Sequence, residues 1–248
     1  MEIVLKGLKT AIIGRHILYY HTLPSTMDLA KELAKEGMVE GVVVLCDEQT
    51  EGRGRQGRKW FASAASSVLM SVVFRPTLGQ LPQLNMLGSL SIVLTIEKVA
   101  GIKSTVKWPN DVLIDGRKVA GILMENVFEG EALQAAILGV GLNVSLDVSS
   151  YSEISSIATS LSAEAGRDFN RDDVLRALLE EMDTLYQAVK RNEDVYHRWL
   201  PNVETLGKTV RIKSGQSVEE GLAQSINPDG SITLRRADGS LITIATGE

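Results

Sequence analysis

The sequence predicts an α+β fold: helices cover one face of a largely antiparallel sheet, and a small β-rich unit follows at the C-terminal end. Three observations carry this. Apolar, strand-like runs joined by tight turns fill the middle of the chain, and two long segments have the 3.6-residue apolar repeat of helices that pack on a sheet. Beyond residue 203 the texture changes to short strands separated by Ser-Gly, Asn-Pro-Asp-Gly and Asp-Gly turns. The larger unit is therefore set at residues 1–202 and the smaller at 203–248.

Ser25-Thr26-Met27-Asp28 opens the first helix, with Leu29, Ala30, Leu33 and Ala34 on one face and the Ser-x-x-Asp spacing of a capping box. Gly37 closes it. Gly41 to Cys46 and the β-branched run Val68 to Phe74 read as strands. A second helix runs from about Leu84 to Ala100 and stops at Gly101, its apolar stripe broken at Glu97. Thr105 to Trp108, Asp111 to Ile114, Arg117 to Phe128 and Ala132 to Val144 form an antiparallel meander, with Asp115-Gly116 a strong hairpin signal. Asp172 to Lys190 carries Leu175, Leu178, Leu179, Met182, Leu185, Tyr186 and Val189 at helical spacing, and a shorter helix from about Asp194 to Leu200 ends at Pro201. The C-terminal strands are Thr209 to Lys213, Val218 to Ile226, Ser231 to Arg236 and Leu241 to Ala245. Roughly 45 residues rarely make an independent core, so this unit leans on the larger one.

The bulk properties exclude several function classes. The chain has 248 residues, 44% hydrophobic and 23% charged, and no apolar run approaches the roughly 18 residues of a membrane span. The N-terminus lacks the charged, apolar, small-residue order of a signal peptide, which predicts a cytoplasmic protein. Cys46 is the one cysteine, so there is no disulfide framework and it reads as a small buried hydrophobe. His16, His21 and His197 are scattered, which argues against zinc. A net charge of −5 argues against nonspecific nucleic-acid binding.

Against that acidic background, Gly52-Arg53-Gly54-Arg55-Gln56-Gly57-Arg58-Lys59-Trp60 packs three glycines, four cations and an indole into nine residues. Glycine lets backbone approach a ligand, loop amides cradle phosphate, and Arg offers forked donors to carboxylate or phosphate. The spacing also fits the dinucleotide fingerprint. That motif needs a helix to open inside it, and cations oppose the positive end of a helix dipole. A phosphate-binding loop between two strands is the better reading, with a solvated basic loop as the competing one.

A second polar cluster is Lys107-Trp108-Pro109-Asn110-Asp111, with Lys118 just past the hairpin turn. Pro109 punctuates the strand, which predicts that Asn110 and Asp111 are aimed out of the ladder. Either is a candidate to hold a Mg²⁺ ion bridging phosphates, and Lys118 to supply a point charge to a transferring phosphoryl group. Gly121 inside its strand suggests close ligand approach, as do Gly141 and Asn143 on the next, unless a bulge explains that pair.

Read in order, Ser25-Thr26, then Gln49 with Gly52 to Trp60, then Lys107 to Asp111 with Lys118 eleven residues after Lys107, then Gly141-Leu142-Asn143, resemble the motif set of the biotin protein ligases over nearly the whole chain. The resemblance implies a catalytic domain similar to class II aminoacyl-tRNA synthetases followed by a small SH3-like barrel. It implies two half-reactions. The carboxylate of biotin attacks the α-phosphate of ATP, with Mg²⁺, to give biotinyl-5′-AMP and pyrophosphate; a lysine of a biotin carboxyl carrier protein then attacks the acyl carbon and AMP leaves.

Carried over residue by residue, the resemblance implies that Arg53, Arg55 and Lys118 are catalytic. Biotin would be met by Ser25, Thr26, Met27, Gln49, Arg53, Gly54, Arg55, Lys118, Gly121 and Leu123, and the adenylate by Arg53, Arg55, Arg58, Trp60, Lys107, Asn110, Asp111, Lys118 and Asn143. Any Mg²⁺ at Asn110 and Asp111 would be held largely through phosphate. Met27 stands where many relatives carry Asn, removing one polar contact from the pattern. The glycine-rich loop is expected to fold over the mixed anhydride and exclude water.

A homodimer is implied by resemblance alone, and no DNA or membrane partner is expected. A lipoate or octanoate ligase or transferase on a related fold is the nearest rival. A biotin-responsive DNA-binding repressor is another: only 24 residues precede Ser25, too few for the extra domain, yet Leu5 to Arg15 resembles the segment that joins the two domains in such relatives.

Overall fold

The computed structural model describes residues 1–247. Eight strands form one sheet in the order β1-β2-β3-β4-β8-β7-β6-β5. These are β1 (Glu2–Ile3), β2 (Ile17–Leu23), β3 (Val43–Gln49), β4 (Ser67–Phe74), β5 (Thr105–Lys107), β6 (Asp111–Ile114), β7 (Arg117–Glu129) and β8 (Ala132–Asn143). The meander from β5 to β8 is antiparallel, as its turns predict.

One pairing departs from the antiparallel pattern. β2 and β3 run parallel, and parallel neighbours need a crossover, which is supplied by helix α1 (Thr26–Lys35). β2 gives no strand signal in the sequence because Ile17–Leu23 has no clean alternation: only Ile17 is fully buried, near the sheet's edge.

Helices lie on both faces rather than one. On one side α2 (Leu81–Ala100) packs against β7 and β8 and against α4 (Arg171–Lys190), with the short α3 (Leu161–Ala165) and α5 (Tyr196–Trp199) at its flanks. On the other, α1 covers β3, β4 and β8 and touches β7. The strands sort their side chains accordingly: Val43 and Leu45 join the α2–α4 core, Val42 and Val44 the smaller α1 core.

Helix α2 lies between sheet and α4, so its buried residues run almost all round it, which is why no single stripe shows in its sequence. Gly88 lets it approach the sheet, since a Cβ there would stand 2.9 Å from Leu138. Its hydroxyls are satisfied locally: Ser91 donates to the Gly88 carbonyl (2.8 Å), Thr95 to that of Ser91 (2.7 Å), and Ser89 Oγ accepts from the Trp199 indole (2.8 Å). Gly101 ends the helix at φ 69°. At its start, Asn85 donates to the Pro109 carbonyl (3.1 Å), fixing the turn between β5 and β6.

The second sheet is β9 (Thr209–Ser214), β10 (Ser217–Ile226), β11 (Ile232–Arg235) and β12 (Leu241–Ile244), all antiparallel neighbours in the order β12-β11-β10-β9. It leans on the large unit as expected. Ile212, Ala223, Ile226, Ile232, Leu234 and Ile244 belong to the main core, and buried Trp108 donates from its indole to the Gly230 carbonyl (2.9 Å).

Two smaller expectations resolve differently. Ser25 is the N-cap of α1 but makes no side-chain cap bond, and the carboxylate of Asp28, its expected box partner, is engaged by Arg53 instead of the Ser25 N–H. Cys46 is buried, and desolvation pushes its thiol up to about 12, so it behaves as the small hydrophobe expected. Among the described residues no helix is long and apolar enough to cross a membrane.

Candidate active site

A cavity of about 610 Å³ opens over the middle of the sheet, lined by residues from α1, β3, β4, β7 and β8, the 52–61 loop and the turn before β6. Its floor is backbone. Gly121 and Gly141 face each other in a regular stretch of the β7–β8 ladder, which leaves no bulge at Gly141. A Cβ at Gly141 would lie 2.5 Å from the Trp60 ring, one at Gly139 2.8 Å from Met27 Cε, and one at Gly121 3.0 Å from Lys118 Cε. Side chains are excluded there because the indole, the thioether and the ammonium stem already lie against the strands.

One end of the cavity is polar and fixed. Gln49 Oε1 accepts from both the Thr26 N–H (2.8 Å) and the Thr26 hydroxyl (3.1 Å), and that hydroxyl also meets Ser71 Oγ at 2.9 Å. Two donors on the oxygen set the amide's orientation, so Gln49 offers its NH₂ as the remaining donor. Ser25 and Thr26 are both buried at the helix start. Ser71 was not foreseen; its signal is a hydroxyl inside an otherwise apolar strand run.

The glycine-rich loop is a miniature hairpin, with β3 and β4 antiparallel on either side of it. A Rossmann crossover is thereby ruled out. Trp60 N–H donates to the Gly52 carbonyl (2.9 Å), Arg53 and Lys59 form an antiparallel bridge, and Gly54 N–H donates to Arg58 (2.7 Å). Arg55–Gly57 makes a single 3₁₀ turn in which Gln56 and Gly57 take φ 54° and 74°. Glycine suits that tip, where left-handed backbone is required.

The loop's cations go to different places. Arg53 makes a two-pronged pair with Asp28 of α1, one prong at 2.6 Å, and lies 3.8 Å from Glu125. The ion pair raises the Arg53 guanidinium further and holds Asp28 below the usual carboxylate range. Arg55 donates to Asn110 Oδ1 (3.4 Å) and to Thr246 Oγ1 (2.9 Å), just beyond β12. All four loop cations, Arg53, Arg55, Arg58 and Lys59, line the cavity together with Lys107, Lys118 and, unforeseen, Lys213 of β9.

Lys118 pairs with Asp111 at 2.6 Å and stands 5.4 Å from the Trp60 ring centroid. Asn110 is not aimed away from the sheet as predicted: its Nδ2 donates to the Ile122 carbonyl (2.7 Å), while its own carbonyl accepts from Ile122 (3.0 Å). Asn143 is buried, lines the cavity and donates to the Thr159 carbonyl (2.9 Å), which anchors the unforeseen 154–158 wall. The same wall is bonded to Lys118, whose N–H donates to the Ile157 carbonyl (2.8 Å). Leu123 and Met27 complete the apolar sides.

Residues 19–143 match the model of the biotin/lipoate A/B protein ligase family, and residues 205–248 match that of the biotin protein ligase C-terminal domain. The bifunctional ligase/repressor BirA of Bacillus subtilis is 35% identical over 238 residues, 94% of this chain and 73% of that protein. The chain belongs to the biotin protein ligases. The biotin–[acetyl-CoA-carboxylase] ligase of Mycobacterium tuberculosis is 32% identical, over 89% of this ligase and 83% of that one. The fold matches the biotin protein ligase of Aquifex aeolicus in complex with biotin and ATP with a TM-score of 0.79 and 26% identity, covering 94% of this ligase and 96% of that chain.

Proposed function

We infer that this chain activates biotin with ATP to biotinyl-5′-AMP and transfers the biotinyl group to a lysine of a biotin carboxyl carrier protein. The observation that carries the reading is the joining, in one cavity, of a side-chain-free floor at Gly121 and Gly141, a fixed polar end at Thr26, Gln49 and Ser71, and a cationic wall of Arg55, Arg58, Lys107 and Lys118. Such a cavity suits a flat apolar body with a polar head at one end and an anion at the other.

The chemistry follows from those parts. Two anions, a carboxylate and a triphosphate, must meet; at 4 Å and an effective dielectric near 20 their repulsion is about 4 kcal/mol per charge pair. Arg55, Arg58 and Lys118 offset it, and Lys118 remains beside the acyl–phosphate oxygens in both half-reactions. Gln49 and Ser25 supply the polar contacts that reject a ligand unable to pair with them. The residues fit Mg²⁺ only through its phosphates, because Asp111 Oδ1 meets Lys118 and Asn110 Oδ1 accepts from Arg55; when bound, the ion would neutralise the leaving pyrophosphate. We assign residues 1–202 to the biotin- and ATP-binding catalytic domain and 203–248 to the SH3-like domain, and expect a homodimer without DNA binding.

Pyrophosphate exchange measured with biotin, lipoate and octanoate tests the assignment, followed by labelling of a purified carrier domain. Exchange with biotin and modification of one carrier lysine are expected. Exchange supported by lipoate or octanoate and not by biotin would overturn it.

A further inference from the structure

The base and the tip of the glycine-rich hairpin are held by different partners. At the base, Arg53 bridges Lys59 and extends its guanidinium to α1, where both terminal nitrogens meet the Asp28 carboxylate at the edge of the cavity that Arg53 also lines. Around that pair, Glu125 of β7 lies 3.8 Å from Arg53 and is itself paired with Lys31 of α1. Two cations and two carboxylates thus close a neutral cluster at the base of the loop. At the tip, Arg55 reaches inward to Asn110 and across to Thr246. A guanidinium already forked onto a carboxylate has little charge left to neutralise a second anion, and a bidentate pair fixes orientation as well as distance.

We propose that Asp28 and Arg53 are a positioning pair that pins the base of the loop to α1, so that the loop's grip on the adenylate depends on their mutual bond and not on contact between Arg53 and the ligand. Asp28 is suited to this by its place in the first turn of α1, where the helix dipole favours a carboxylate. It also sits three residues after Ser25 and two after Thr26, so the pair couples the position of the loop to the helix start that forms the polar end of the cavity. This inference rests on the proposed adenylate-forming activity, and the phosphate is then met by other cations of the cavity, among them Arg55, Arg58, Lys107 and Lys118.

The test is a charge swap with two readouts on the full chain. The first is dissociation of biotinyl-5′-AMP formed in place from biotin and Mg-ATP. The second, made without any ligand, is the rate of tryptic cleavage after Arg55 and Arg58. Asp28→Asn and Arg53→Asp are expected to raise both rates about tenfold, the scale of one lost charged hydrogen bond, and the double variant D28R/R53D to bring both back to within about threefold. Arg53→Lys, which keeps the charge but one prong, falls between. The proposal is overturned if the swap releases adenylate as fast as Arg53→Asp alone, which would place Arg53 on the ligand, or if Asp28→Asn leaves cleavage unchanged. Cleavage that responds as expected in a chain that makes no biotinyl-5′-AMP would sustain the pin and refute the activity.

Discussion

Lys118 and Asp111 are ion-paired at 2.6 Å across the β6–β7 hairpin, directly beside the Gly121–Gly141 floor. The pair keeps an ammonium in the cavity at a fixed height above bare backbone. Replacing Lys118 with Met keeps the stem against Trp60 and removes the charge. Single-turnover quench experiments are expected to show adenylation and transfer each slowed by about 10² to 10³, the range for deleting one preorganised donor, with biotin affinity changed far less. A loss confined to affinity, with both rates unchanged at saturation, would mean that Lys118 only binds.

The floor makes a steric prediction. Gly141→Val places a branched side chain where a single Cβ already lies 2.5 Å from the indole, and overpacking of this kind costs about 1–3 kcal/mol. Isothermal titration is expected to show biotin binding weakened tenfold or more. Adding Trp60→Ala should recover part of it, because the clash is with that ring. No recovery in the double variant would locate the obstruction in the ligand itself.

Most of this arrangement was legible in the sequence, for identifiable reasons. Gly52 to Trp60 and Lys107 to Lys118 announce themselves because cations and glycines have few structural reasons to cluster, and hairpin turns such as Asp115-Gly116 have narrow backbone requirements. What escaped was relational. Ser71 looks like one hydroxyl in a strand until Thr26 is placed against it. Lys213 is one of several surface lysines until the second sheet is docked over the cavity. Asn110 and Asn143 read as ligand contacts by type and both line the cavity, but that each also gives one amide N–H to a neighbouring carbonyl, of Ile122 and Thr159, shows only in the fold. Helix α2 lacked a stripe because tertiary burial surrounds it.

Asp47 gives the fold an acid-sensitive point. Burial alone would raise its pKa, but hydrogen bonds from Tyr19, Arg171 and His21 outweigh that and leave it below the ordinary 3.8. Because the folded-state value is depressed, the stabilisation is present above the unfolded value and is lost as pH falls through the folded one. Urea unfolding midpoints of the unaltered chain should therefore decline below about pH 4. Asp47→Asn should be less stable at pH 7 and show a shallower decline, since Arg171 then lacks its 2.6 Å partner. Parallel acid limbs for the two proteins would show that other carboxylates set the decline.

Trp108 couples the two units through one residue. Its N–H donates to Thr205 Oγ1 (2.9 Å) and its indole to the Gly230 carbonyl (2.9 Å), while its chain neighbours Lys107, Asn110 and Asp111 line the cavity. Trp108→Phe keeps an aromatic ring and deletes the indole bond, a loss of about 0.5–1.5 kcal/mol, which in a chain of this size lowers Tm by about 2–4 °C per kcal/mol. The functional consequence is directional. The turn is held from the α2 side by Asn85 and from the other by Trp108, so loosening it should raise the KM for ATP severalfold while biotin affinity, set by Thr26, Gln49 and the glycine floor, stays within about twofold, a change of under half a kcal/mol. Steady-state exchange kinetics with each substrate varied in turn would separate the two, and a matching loss for biotin would show that the second sheet supports the whole cavity rather than its phosphate end.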